Sequence, residues 1–280
     1  MAAFRLYEMF RGGRGVKRDD VMGESWLRRS IELGYVVGKD LPPRFGSTEK
    51  LPAPGCYTGS MPAVPKPEPE RYVMVSSGSG FYVNELELVT NHHVIDDCDR
   101  VTVEKESGPV SARVIAVDAK RDLAVLRTEA PHTSHARLRQ DPGVLGEPVY
   151  LFGYPQRPLL ASINMTNGIV SSLTGFRGDR SELQTTAAVQ KGNSGGPLVD
   201  AEGAVIGVIT SILRDSQNVG FAVKNTALVD FLEDHKVTVT YADPDLDPRL
   251  QAVSAGSASA PRVAREVQDF TFPIACHAKR

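Results

Sequence analysis

The hexapeptide Gly192-Asn193-Ser194-Gly195-Gly196-Pro197 places one serine among three glycines, directly before a proline. A serine that attacks an acyl carbon must sit on a tight turn whose amides converge on one pocket. Glycine ahead of it permits dihedrals that aim an N–H at the substrate oxygen, and glycine behind it removes Cβ atoms where substrate approaches. On this reading the N–H groups of Gly192 and Ser194 form an oxyanion hole. The competing reading is a glycine-rich β-turn without chemistry. A serine hydroxyl is far from ionised at neutral pH, so it also requires a base held by a third group. Two stretches supply candidates: Thr90-Asn91-His92-His93-Val94-Ile95, closing one β-like run, and Lys120-Arg121-Asp122-Leu123-Ala124-Val125, opening another. A His92/His93 metal pair is disfavoured, because adjacent strand residues face opposite ways and no nearby third ligand is compelling.

Working outward, residues 72–223 read as short β-rich runs punctuated by turn residues, at 72–75, 80–83, 88–91, 101–104, 112–117, 123–127, 149–152, 167–171, 183–187, 198–199, 204–210 and 220–223. Twelve evenly spaced strands with glycine-bearing turns predict a mainly β fold of two six-stranded antiparallel barrels, over about 71–140 and 141–225. A short amphipathic helix is expected at 226–234, and in a tail over 236–280 a helix at 263–269 and a strand at 270–276. Residues 254–261, SAGSASAP, are low in complexity.

The order His, Asp, Ser, with gaps of 29 and 72 residues between His93, Asp122 and Ser194, is that of chymotrypsin-fold peptidases. Together the segments GSGFYV (78–83), TNHHVI (90–95), RDLAVL (121–126), NGIVSS (167–172), TTAAVQKGNSGGPL (185–198) and VGFAV (219–223) resemble trypsin-like serine peptidases, most closely the HtrA/Deg type. That resemblance implies His93 as general base, since it directly precedes Val94-Ile95, with Asp122 as orienting acid and Ser194 as nucleophile. It implies polypeptide substrates and no cofactor or metal. Three departures stand out: Asn193 replaces the aspartate that receives a new N-terminus in secreted relatives, Val94 replaces their cysteine after the histidine, and Gln190-Lys191 replaces the Asn-Pro of HtrA/Deg enzymes. Ala188 lies six residues before Ser194, where a trypsin-like preference requires an acid. With Ile209, Thr210, Ser211 and Gly220 it is expected to line an uncharged pocket that favours small or aliphatic side chains, because nothing there would neutralise a buried cation. The rival functional class is a catalytically silent binding module on the same fold.

Composition narrows the rest. Lys plus Arg at 32 against Asp plus Glu at 34 leaves a net charge of -2, which disfavours nucleic-acid binding. No apolar run is long enough to span a membrane and no signal-type apolar segment opens the chain, so a cytoplasmic location is expected. Cys56, Cys98 and Cys276 are an odd number without C-x-x-C spacing, so neither a disulfide framework nor a thiolate zinc site is expected. Eight of the 19 prolines fall between 42 and 69, which marks 41–70 as a linker. Ahead of it, residues 1–40 predict a helical hairpin, broken at 12–15, capped by Asp19 or Asp20 and stopped at Gly34. Its spacing resembles a single Sel-one-like helical repeat, which implies an arm for a protein partner or a second copy. The roughly 45 residues after Asp234 are too few for the PDZ domain of HtrA/Deg proteins.

Overall fold

The computed structural model describes residues 2–13, 15, 17–32, 71–155, 162–212, 218–243 and 260–279. The expected linker, the Gly34 stop and residues 254–259 lie outside the described residues. Two compact units divide at Lys66 and Pro67. In the first, α1 (Ala2–Gly12) and α2 (Asp20–Glu32) form the hairpin. Of the two candidate caps Asp19 serves: its Oδ1 accepts the N–H groups of Val21 at 3.1 Å and Met22 at 3.0 Å. Tyr7 and Leu27 are buried in this unit.

The second unit runs β1 (Tyr72–Tyr82), β2 (Glu87–Thr90), α3 (His92–Ile95), β3 (Arg100–Lys105), β4 (Gly108–Asp118), β5 (Leu123–Thr128), β6 (Arg137–Leu138), β7 (Pro148–Gly153), β8 (Asn164–Ser172), β9 (Glu182–Thr185), β10 (Pro197–Val199), β11 (Val205–Ile212), β12 (Gly220–Lys224), α4 (Asn225–Asp234), β13 (Thr240–Tyr241), α5 (Ala260–Gln268) and β14 (Thr271–Lys279). Two six-stranded antiparallel barrels result. The first closes in the order β1-β14-β3-β4-β5-β2. The second follows β10-β7-β8-β9-β12-β11 and closes through β10 on β11, while β6 and β13 extend it in parallel beyond β11. Each barrel buries one face of its strands, which accounts for the alternating patterns in sequence. Phe81, Tyr82, Leu88, Val125 and Ile274 fill the first, and Leu151, Val170, Leu183, Ile206 and Ile209 the second.

The first barrel differs from the contiguous 71–140 block that the sequence predicts. Residues 72–128 supply five strands, and the sixth is β14, from the tail. It pairs along β1 from Tyr72↔Lys279 to Phe81↔Thr271 and along β3 from Ile274↔Val103 to His277↔Arg100. Without β14 both β1 and β3 would be open edges. α5 buries Val263 and Val267 just ahead of it.

The strand also overturns the cysteine expectation. Cys276 on β14 is bonded to Cys98, which precedes β3, with Cα atoms 5.4 Å apart and a sequence separation of 178. No spacing motif announces such a bond, because strand pairing alone brings the two thiols together. Cys56 lies outside the described residues.

Candidate active site

The loop between β9 and β10 carries the glycine-rich hexapeptide. Asn193 N–H bonds the carbonyl of Gln190 at 3.0 Å, and Gly192 has φ +102°, which makes residues 190–193 a type II turn with glycine at its third position. Gly195 has φ +83°, and a Cβ there would lie 2.1 Å from the Ser79 carbonyl oxygen, so no other residue fits. Gly195 N–H donates to Ile209 O at 2.8 Å and Gly196 N–H to Asn193 O at 2.9 Å. Between these satisfied amides, the N–H groups of Gly192 and Ser194 have no hydrogen-bond partner among the described residues. Asn193 is 2% exposed, and its Oδ1 likewise lacks a partner among them. A neutral amide tolerates that burial where a carboxylate would need a cation.

The histidine and aspartate come from the first barrel. β2 ends at Thr90 and the chain turns into α3, while Asp122 occupies the turn before β5. His93 Nδ1 and Asp122 Oδ2 are 2.6 Å apart, and Asp122 Oδ1 accepts the His93 N–H at 2.9 Å. The Asp122 carbonyl accepts from Asn91 Nδ2 at 2.8 Å and from the His92 N–H at 3.3 Å. One residue therefore gathers the whole 91–93 turn, and it does so with φ +56°, a left-handed conformation uncommon outside glycine. An Nδ1–H donated to a carboxylate leaves Nε2 with its lone pair free to take a proton. His93 is half exposed, with side-chain exposure of 50%, whereas His92 sits across from Asp96 at 3.7 Å. Burial raises the Glu182 carboxyl above its ordinary range, opposed by the Phe176 N–H and reinforced by the charges of Asp179 and Asp122.

β1 joins the two halves. Ser79 N–H donates to Ser194 O at 2.8 Å, and Ser79 O accepts the Thr90 hydroxyl at 2.7 Å. The Ser194 hydroxyl donates to Thr210 O at 2.9 Å, and among the described residues no hydrogen bond joins it to His93. Of the expected pocket residues, Thr210 is buried on β11 and Gly220 opens β12. Ala188 is exposed, and its carbonyl accepts the Thr166 hydroxyl at 3.0 Å. Ile209 does not line a pocket with its side chain. It is fully buried in the core of the second barrel, and only its backbone serves the loop. The Ser211 side chain lies outside the description. Val189 was not singled out from sequence, yet a Cβ on Gly220 would meet its Cγ2 at 2.4 Å. An apolar residue beside Ala188 was the available signal.

Residues 78–208 match the family described as "Trypsin-like peptidase domain". The chain is 37% identical over 263 residues to "Uncharacterized protein y4bJ" of Sinorhizobium fredii, covering 89% of this chain and 39% of that protein. It is 36% identical over 169 residues to "Putative serine protease HhoB" of Synechocystis, covering 57% of this chain and 39% of the relative. The corresponding figures for "Probable periplasmic serine endoprotease DegP-like" of Brucella suis are 38% over 159 residues, 54% and 30%. The chain thus spans about two fifths or less of the length of these curated relatives. Among solved structures, "Rv3671c protease, inactive form" matches with a TM-score of 0.51 and 26% identity, over 58% of this chain and 86% of that one. With the two barrels and the loop geometry, these likenesses place residues 78–208 in the trypsin-like peptidase domain family.

Proposed function

We propose that the chain is a serine endopeptidase acting through Ser194, His93 and Asp122. The Ser194 hydroxyl turns about its Cα–Cβ bond from Thr210 O toward His93 Nε2, which takes its proton as Oγ attacks the scissile carbonyl. Asp122 holds the imidazole in the Nδ1–H tautomer and balances the imidazolium. Gly192 and Ser194 N–H groups hold the oxyanion. His93 then protonates the leaving amine, and water releases the acyl group by the same steps. What carries this reading is the bonding pattern across residues 192–196, in which, among the described residues, the amides of Gly192 and Ser194 stay unbonded while the three others are engaged. Such donors are worth roughly 10²–10³ in kcat each.

Ala188, Val189, Thr210 and Gly220 bring no charge to the pocket, so cleavage should follow small or aliphatic residues. A peptide panel cut best after arginine would sink that preference. The rival reading, a silent binding module with the helical hairpin as its arm, draws on the Ser194 hydroxyl being bonded to Thr210 rather than to His93. A fluorophosphonate probe separates the two: labelling of the wild type that is lost in Ser194→Ala marks an enzyme, and a folded wild type that never labels marks the module. The Cys98–Cys276 bond also favours an oxidising compartment over the cytoplasm expected from sequence. Thiol alkylation in cell fractions, finding both cysteines free, would reverse that inference.

A further inference from the structure

We propose that Ser79 is a positioning residue for the oxyanion loop, anchoring the Gly192–Asn193 peptide and Ser194 O so that the loop carrying the Gly192 and Ser194 amides keeps its place against substrate. The proposal rests on the peptidase reading and assigns a role to a residue outside its triad. Ser79 lies on β1 with 0% exposure. Its hydroxyl donates to Gly192 O at 2.8 Å and accepts the Tyr154 N–H at 2.9 Å. The acceptor bond to Tyr154 orients the hydroxyl, leaving its single proton for Gly192. The same residue donates its backbone N–H to Ser194 O at 2.8 Å, so Ser79 touches both residues whose amides form the proposed hole.

The turn at 190–193 explains why this contact matters. A type II turn and its type I alternative differ by rotation of the central peptide, here Lys191–Gly192, which is the peptide that carries the Gly192 N–H. Glycine removes the steric barrier to that rotation. The Asn193 N–H bond to Gln190 O survives in either form, so it does not choose between them. The Gly192 carbonyl belongs to that same Gly192–Asn193 peptide, so the Ser79 hydroxyl adds a second bond to it and fixes the Gly192 Cα about which the Lys191–Gly192 peptide would turn. Space behind the loop is already filled: a Cβ on Gly153 would meet Asn193 Oδ1 at 2.9 Å and the Ser79 hydroxyl at 3.0 Å. Gln190-Lys191 stands at the outer side of this turn, both residues exposed, so the inner hydroxyl is the contact that ties the turn to the first barrel.

The test compares wild type, Ser79→Ala and Ser79→Cys, the last replacing a strong donor by a weak one. Readouts are kcat and KM on a peptide substrate, the rate of fluorophosphonate labelling, and binding of a peptide aldehyde against binding of the matching peptide acid. Melting and circular dichroism identify folded protein. Expected is a loss of about 10- to 100-fold in kcat and in labelling rate, part of the roughly 10²–10³ that a whole donor is worth. Aldehyde binding should weaken by a similar factor, with KM and acid binding within about threefold, since the loss falls on the transition state. Should Ser79→Ala fail to fold, the folded Ser79→Cys protein carries the same expectation. Wild-type kcat in either folded variant, or a raised KM with kcat unchanged, overturns the proposal while leaving the peptidase reading intact. A folded wild type that neither labels nor cleaves overturns that reading, and this proposal with it.

Discussion

Reducing the Cys98–Cys276 bond is the perturbation whose size follows most directly from connectivity. The bond joins residues 178 apart. For a loop of that length the chain-entropy description removes about 5 kcal/mol of unfolded-state entropy at 25 °C, of which about 2–4 kcal/mol is the usual realised stabilisation. In a domain of roughly 200 residues each kcal/mol moves the midpoint by about 2–4 °C, so reduction should lower Tm by about 4–16 °C. The assay is calorimetry on wild type with and without a phosphine reductant, alongside Cys98→Ala/Cys276→Ala in both conditions. The double variant should melt near the reduced wild type and ignore the reductant. A wild type whose Tm does not move on reduction, with both thiols then shown to be free by alkylation, refutes the reasoning, because the closed loop would not constrain the unfolded chain as described.

Two further outcomes follow from the same architecture. A chain ending at Asp269 loses the buried Phe270 and all of β14, with its buried Ile274 and Cys276. At about 1.5–3 kcal/mol per large apolar side chain, plus the disulfide, the loss approaches the whole margin of about 5–15 kcal/mol. Aggregation or an unfolded spectrum is expected, relieved by a synthetic peptide of residues 270–280, and a soluble truncated protein with native melting would contradict it. His132 gives a pH dependence: burial lowers its pKa below 6.5 despite the Asp269 carbonyl accepting at 2.7 Å. The unfolded chain then binds more protons, so stability rises with pH through the window just below 6.5 and is fully present above it. In His132→Phe the urea midpoint should lose that portion of its rise, and an unchanged slope would show the cause lies elsewhere.

The nucleophile loop was legible because its chemistry requires glycines at fixed places, and the β runs were legible because buried strand faces write a period of two. His93 and Asp122 could be chosen only through the constellation, since neither differs locally from a surface histidine or a turn aspartate. The sequence could not say that β14 closes the first barrel, because strand partnership is decided by tertiary packing rather than by proximity in the chain. The disulfide followed β14 out of view for the same reason. Ile209 was misplaced because β11 is buried all along Val205–Thr210, so no alternation distinguishes a core face from a pocket face there. Ser79 stood inside the GSGFYV segment with no role of its own, since a serine in a β run is unremarkable until its hydroxyl is found beneath Gly192.

β14 and the oxyanion loop meet at one register position. Ser79 on β1 lies opposite Pro273 on β14, and proline brings no N–H to a strand pair. Tyr82, three residues on, donates its N–H to Phe270 O, so by alternation the Ser79 backbone faces away from β14, and its carbonyl accepts the hydroxyl of Thr90, one residue before the turn that carries His93. The Ser79 N–H leaves the same edge of β1, to Ser194 O in the second barrel. The tail thus does two things for the site: it covers the edge of β1 along most of its length, and at the one residue that reaches both halves of the site it leaves the backbone free to do so.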